Sequence, residues 1–187
     1  MLKDLILKNR SYRRFDENIS IPEDTLKEFI DLARLSASGA NRQPLKYIIN
    51  NKKDINEKIF PALAWAAYLT DWEGPVKGER PSAYIIILGD KNITNTFGVD
   101  HGIASQSILL GAVEKGFGGC ILASINRDEL RKNLNIEERY DILLVIALGK
   151  PKEEIIIEEV KNNDIKYWRV DKKIHHVPKR SLDEIII

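Results

Sequence analysis

Three polar clusters carry residue types able to hold an anionic ligand rich in acceptors. The first is Arg10-Ser11-Tyr12-Arg13, where two arginines bracket a serine in a short connection. Guanidinium forks bind phosphate bidentately, and a serine hydroxyl adds one more hydrogen bond. The second, Ser38-Gly39-Ala40-Asn41-Arg42-Gln43-Pro44, offers hydroxyl and amide groups on a tight loop, which suits a planar ligand. The third is Pro178-Lys179-Arg180, near the C-terminal end of the sequence. Taken alone, each reads first as an ordinary solvated turn or tail.

Several other chemistries lack their apparatus. There is no phosphate-binding P-loop, no dinucleotide fingerprint opening a helix and no serine nucleophile elbow. No pair of carboxylates stands out for hydrolysis. Cys120 reads as a small residue packed on a buried strand. Neither it nor His101, His175 and His176 has the spacing of a zinc site, so no metal is expected. Anion and polar sites without acid–base machinery fit redox chemistry carried by a cofactor, which the protein binds and orients.

The elements that must position these clusters follow from periodicity. Residues 2–8 read as a short helix. A second helix starts at Pro22, whose missing amide is harmless in a first turn, with Glu23 and Asp24 at the positive end of the dipole. Leu26, Phe29, Ile30, Ala33 and Ala37 recur along it at helical spacing. Strands are expected at 45–50, 83–88 and 142–148, the second an apolar run buried on both faces. The stretch 52–82, holding Trp65, Tyr68 and Trp72, reads as less regular: a lid or substrate wall, or simply core. Helix 99–115 is apolar in nearly every direction and is expected to be buried all round. It is either central to one subunit or shared with a second. Gly116–Ser124 reads as a glycine-rich turn into a short strand, and 126–133 as a helix. After Gly149-Lys150-Pro151 the chain, residues 152–187, reads as a charged, irregular extension. Strands and helices intermix without a βαβ rhythm, so the expected class is α+β.

Composition bounds the rest. The chain has 187 residues, 43% of them hydrophobic, which is enough for one domain with a real core. A net charge of +1, with basic and acidic residues interspersed, offers no general reason to bind nucleic acid. No apolar run approaches a membrane span, the first residues lack a secretory core, and a single cysteine allows no internal disulfide. Together these point to the cytoplasm.

The order of the clusters resembles the nitroreductase family over almost the whole chain. Arg10, Ser11 and Arg13 are similar to its flavin-phosphate segment. Ser38-Gly39-Ala40-Asn41-Arg42-Gln43-Pro44 resembles its Pro-Ser-x-x-Asn-x-Gln-Pro loop, with Ala37 in place of the first proline. Gly116-Phe117-Gly118-Gly119-Cys120 resembles its Gly-Leu-Gly-x-Cys segment, with Ala123 and Ser124 where two glycines usually follow. Ala147-Leu148-Gly149-Lys150-Pro151 resembles a strand end of the family, and Lys179-Arg180 its closing basic pair.

The resemblance implies a three-layer α+β sandwich, its central mixed, mostly antiparallel sheet flanked by helices. It also implies a homodimer with the 99–115 helix in its interface, and two FMN sites each built from both subunits. Arg10, Ser11, Arg13, Lys179 and Arg180 would then hold the phosphate. Ser38, Asn41 and Gln43 would orient the ring. Leu122, Ala123 and Ser124 would lie at its reactive edge, with the Ala123 amide toward N5. The implied activity is ping-pong transfer from NAD(P)H through FMN to a small-molecule acceptor such as a nitroaromatic or quinone, with no side chain as acid or base. The rivals are a flavin-binding protein without turnover and a family member with other flavin chemistry, such as dehalogenation or ene reduction. No nucleic acid or membrane partner is expected.

Overall fold

The longest buried strand organises the molecule. In a computed structural model, which describes residues 1–171 and 173–187, all eight residues of Ala83–Asp90 are buried. The elements run α1 (Leu2–Lys8), β1 (Phe15–Asp16), α2 (Glu23–Arg34), β2 (Leu45–Asn50), α3 (Lys53–Ile59), β3 (Ala83–Asp90) and α4 (Asp100–Glu114). They continue with β4 (Gly118–Leu122), α5 (Arg127–Leu134), β5 (Tyr140–Pro151), β6 (Glu154–Glu159), β7 (Trp168–Arg169), β8 (Ile174–Lys179) and α6 (Leu182–Ile185). No helix among the described residues is long and apolar enough to cross a membrane.

The central sheet runs β2-β3-β5-β4, and β1 pairs with the last residues of β5. Each of these ladders is antiparallel. Alternation along β3 divides its side chains between two cores. Ile85 and Ile87 pack with Leu26 and Phe29 of α2 and Ile108 and Ala112 of α4. Tyr84 and Ile86 pack with Ile59 of α3 and Leu130 of α5. Helices therefore cover both faces, giving the expected three-layer α+β sandwich. The only parallel ladder among the described residues joins β6 to β8, outside the central sheet.

Two sequence expectations need correction. The stretch 52–82 is not irregular throughout, because it begins with α3. Its only inward apolar pair, Ile55 and Ile59, was too short a signal to read. The segment after Pro151 is not irregular either, since β6, β7 and β8 form a second sheet. Its central pairing joins Glu154–Glu159 to Ile174–Lys179 across a long connection, and local sequence carries no mark of such a partner.

Within this one chain, helix α4 is not buried on every side. Ala104, Ser105, Ile108, Leu109, Gly111 and Ala112 are buried, whereas Gly102, Ile103 and Gln106 are exposed. The side carrying Gly102, Ile103 and Gln106 thus lies open.

Glycine is required where β4 meets β5. A Cβ on Gly119 would lie 2.5 Å from the Ala147 carbonyl oxygen and 2.8 Å from the side chains of both Leu109 and Leu148. The carbonyl belongs to a buried strand and cannot swing aside. Gly119→Ala is expected to destabilise the fold by about 1–3 kcal/mol, read as a lowered urea midpoint at unchanged slope. A wild-type midpoint would show that the ladder can shift.

Candidate functional site

The first polar cluster is laid along the start of β4. Ser11 bridges Gly119, and the Tyr12 amide donates to the Gly119 carbonyl at 3.0 Å. A buried carboxylate fixes the two residues after Tyr12. Glu153 Oε1 accepts the amides of Arg13 (2.5 Å) and Arg14 (3.1 Å), and its Oε2 accepts from Arg169 Nη2 (2.9 Å). Arg14 turns inward to an ion pair with Glu79, while Arg10 and Arg13 stay beside a cavity.

The second sheet supplies the opposite wall of that cavity. Alternation puts His175, Val177 and Lys179 on one face of β8. All three line the same cavity of about 290 Å³ as Arg10, Ser11 and Arg13. Gln106, Ile121 and Tyr167 help to close it, and no carboxylate is among its described lining residues. The Arg13 guanidinium lies 5.1 Å from the Tyr167 ring centre, and its Nε has no hydrogen-bond partner among the described residues. His175 is 0% exposed, with both ring nitrogens likewise unpaired. Burial, and then the charges of Arg13, Arg169 and His176, push its pKa down to about 4. Its ring is neutral at pH 7.

Arg180 stands apart from Lys179. It donates to Asn163 Oδ1 at 2.8 Å and Glu184 Oε1 at 3.1 Å, and it does not line the cavity. The structure therefore brings Lys179 to Arg10, Ser11 and Arg13, and leaves Arg180 paired with Glu184 of α6.

The second cluster is built on the first turn of α4. Ser38 Oγ donates to Asp100 Oδ2 at 2.6 Å, and the Gly39 amide to Asp100 Oδ1 at 2.9 Å. The Gln43 amide donates to Ser38 Oγ at 2.9 Å. Ala40, Asn41 and Gln43 take left-handed backbone, with φ of 51°, 53° and 51°. Ser38 and Gln43 border a second cavity of about 310 Å³, together with Tyr47, Asp100 and Ala104. Asn41 is exposed and lines neither cavity.

Helix α4 stands between the two cavities. At about 100° per residue, Ala104 lies about 40° from Asp100, whereas Leu109 and Gln106 lie about 180° and about 240° away. Asp100 and Ala104 border the Ser38 cavity, and Gln106 and Leu109 border the Arg10 cavity. Within one chain the two clusters thus occupy opposite sides of a helix.

The third group follows β4. Ile121 lines the cationic cavity, Leu122 turns into the core, and Ala123 and Ser124 are exposed. The Ser124 carbonyl accepts from the Ala64 amide at 3.0 Å. The aromatic trio divides. Trp65 is core, and a Cβ on Gly74 would lie 2.7 Å from its ring. Tyr68 sits 5.0 Å from the Tyr167 ring, and the Arg169 guanidinium lies 4.1 Å from the Trp72 ring centre. Cys120 is buried, and burial pushes its thiol up.

Glu153, Asp100 and His175 were not singled out as site residues from sequence. Asp100 had a faint signal, an acid in a helix's first turn. Glu153 had none, because its partners are two backbone amides and an arginine sixteen residues on.

Two outcomes test this geometry. Glu153→Ala leaves the Arg169 charge without its buried partner and two amides without an acceptor. It is expected to cost about 3–5 kcal/mol in denaturant unfolding, and a loss under about 1 kcal/mol would refute the clamp. The second concerns pH. The His175 pKa is lower in the folded state than the ordinary value of 6.5, so the unfolded chain binds the extra proton. This contribution to stability is fully present above pH 6.5 and is lost as pH falls toward about 4. It amounts to at most about 3 kcal/mol, and His175→Phe should flatten that part of the profile. An unchanged slope in the variant would place the titration elsewhere.

Comparison with known proteins agrees with the layout. A family model described as the nitroreductase family matches residues 6–150. A Bacillus subtilis protein, MhqN, named provisionally as an NAD(P)H nitroreductase, is 23% identical over 191 residues, spanning 80% of this chain and 88% of its own. The crystal structure of a nitroreductase family protein from Clostridium novyi superposes with a TM-score of 0.66 at 23% identity, covering 81% of this chain and 87% of that one. A Clostridium difficile protein named as an FMN-dependent nitroreductase superposes with a TM-score of 0.65 at 21% identity, covering 80% and 87%. With 145 consecutive residues (6 to 150) matched by the family model and the same sandwich in solved relatives, the chain belongs to the nitroreductase family.

Proposed function

We propose that the chain works as a homodimeric, FMN-dependent NAD(P)H oxidoreductase that reduces a small-molecule acceptor such as a nitroaromatic or quinone. The observation that carries this reading is the cationic cavity closed from both ends of the chain, by Arg10, Ser11 and Arg13 on one side and Lys179 on the other. Its chemistry fits a phosphate monoester: three cations, a hydroxyl, no carboxylate among the described lining residues, and an unpaired Arg13 Nε. The names of relatives add NAD(P)H and, in one case, FMN. When bound, FMN supplies the hydride chemistry of such an enzyme.

The chain's own residues bind and orient. Arg10, Arg13 and Lys179 neutralise the phosphate. Arg180 joins them only by releasing Glu184. Ser38, Asn41 and Gln43 orient the ring, and the backbone at Leu122, Ala123 and Ser124 borders its reactive edge. Because α4 separates the Ser38 loop from the Arg10 cavity within one chain, the loop that completes each site comes from a second copy. The open apolar surface supports this arrangement. Leu2 is 66% exposed, Val99 71% and Leu35 65%. Exposed apolar side chains of this kind are what a two-fold dimer buries.

Anaerobic titration tests the activity. NADH or NADPH is expected to bleach the visible band of the FMN-loaded protein, and a quinone or nitroaromatic to restore it. Bleaching by dithionite alone would sink turnover. Mixed dimers test the two-copy site. Co-expressing Arg13→Ala with Asn41→Ala subunits should restore one intact site per mixed dimer. Mixed dimers no more active than either parent would mean that each site lies within one chain.

A further inference from the structure

Of the three residues that β8 turns toward the cationic cavity, Val177 is an apolar wall and Lys179 a cation. His175 is neither. Its ring lies 5.2 Å from Tyr167, and the Arg13 guanidinium lies 5.1 Å from that same tyrosine ring. The two side chains thus flank one aromatic surface at the cavity wall.

Packing alone does not account for a histidine here. The ring is 0% exposed, and neither Nδ1 nor Nε2 has a hydrogen-bond partner among the described residues. Phenylalanine would make the same contact with Tyr167 and bury no unpaired nitrogen. The unpaired Arg13 Nε is a second buried donor in the same place. Two such groups beside one cavity call for acceptor oxygens inside it.

Burial first, and then the charges around the ring, decide its form. Arg13, Arg169 and His176 all disfavour its protonation. Glu153 is the buried carboxylate nearby, and both of its oxygens are already engaged by Arg13, Arg14 and Arg169. The ring is therefore neutral, with one N–H to give. A neutral donor adds a hydrogen bond to an anion without adding to the repulsion among Arg10, Arg13 and Lys179.

We propose that His175 is a direct ligand contact, a neutral donor to the anionic oxygens that Arg10, Arg13 and Lys179 hold. Only the identity of that anion, a phosphate monoester, rests on the flavin reading above.

Apo-protein binding of FMN and riboflavin, followed by flavin fluorescence near neutral pH, tests this in the wild type and two variants. His175→Phe keeps the contact with Tyr167 and removes both nitrogens. It is expected to weaken FMN by about ten- to a hundredfold and riboflavin by less than about twofold. His175→Gln, which keeps a donor, should recover most of the difference. Unchanged FMN affinity in His175→Phe, or an equal loss for riboflavin, would overturn the proposal. A readout on the wild-type protein covers the case in which a variant fails to fold. In ¹⁵N-histidine spectra, FMN should shift one His175 ring nitrogen while the ring stays neutral, and unshifted nitrogens would refute the contact. If the wild type binds neither flavin, the flavin reading fails alone. Inorganic phosphate then becomes the probe in the same spectra: a His175 shift supports the contact and none overturns it.

Discussion

The Glu153 carboxylate, whose side chain is 1% exposed, gives one oxygen to the amides of Arg13 and Arg14 and the other to Arg169. A carboxylate taken out of water is tolerated only when paired and hydrogen-bonded, so these partners are not free to drift. One carboxylate therefore ties the segment after α1 to the end of β5 and to β7. Because β7 pairs with β8, the same tie sets where His175 and Lys179 stand relative to Arg10 and Arg13. The cationic cavity exists because a single anion is buried behind it.

That arrangement accounts for the division of the arginines. Arg14 pairs inward with Glu79, and Arg169 pairs with Glu153 while its guanidinium lies over Trp72. Both are structural cations with counter-ions. The guanidinium groups of Arg10 and Arg13 make their hydrogen bonds to backbone carbonyls, at Asn9, Ile6 and Ser11, and so keep their charge uncompensated toward the cavity. Basic residues close together in sequence do opposite jobs because the fold supplies a carboxylate to one and a carbonyl to the others.

Helix α4 imposes the second constraint. It packs against the sheet with one face and holds the two polar clusters on opposite sides. Asp100 anchors the Ser38 loop at its first turn, and Gln106 accepts from Asn9 at 3.3 Å on the other side. The homodimer proposed above would bring the two clusters together across a subunit boundary.

Local chemistry determined a good deal of this. Helix α2 follows from Pro22, its acidic first turn and the Leu26, Phe29, Ala33 spacing, and β3 follows from an uninterrupted apolar run. The grouping of Arg10, Ser11 and Arg13 is local too, since three neighbours on a short connection share a surface. The second sheet was not legible, because β6 and β8 each look like charged coil until the parallel ladder joins them. Nor was the separation of Lys179 from Arg180. Strand β8 ends at Lys179, which faces the cavity with His175 and Val177, and α6 supplied Glu184 to the Arg180 that follows. The sequence by itself determined which residue types are available to hold an anion and in what order. Only the tertiary structure decided which of them face it, because that choice rests on a buried carboxylate and a dividing helix whose partners lie far away in the chain.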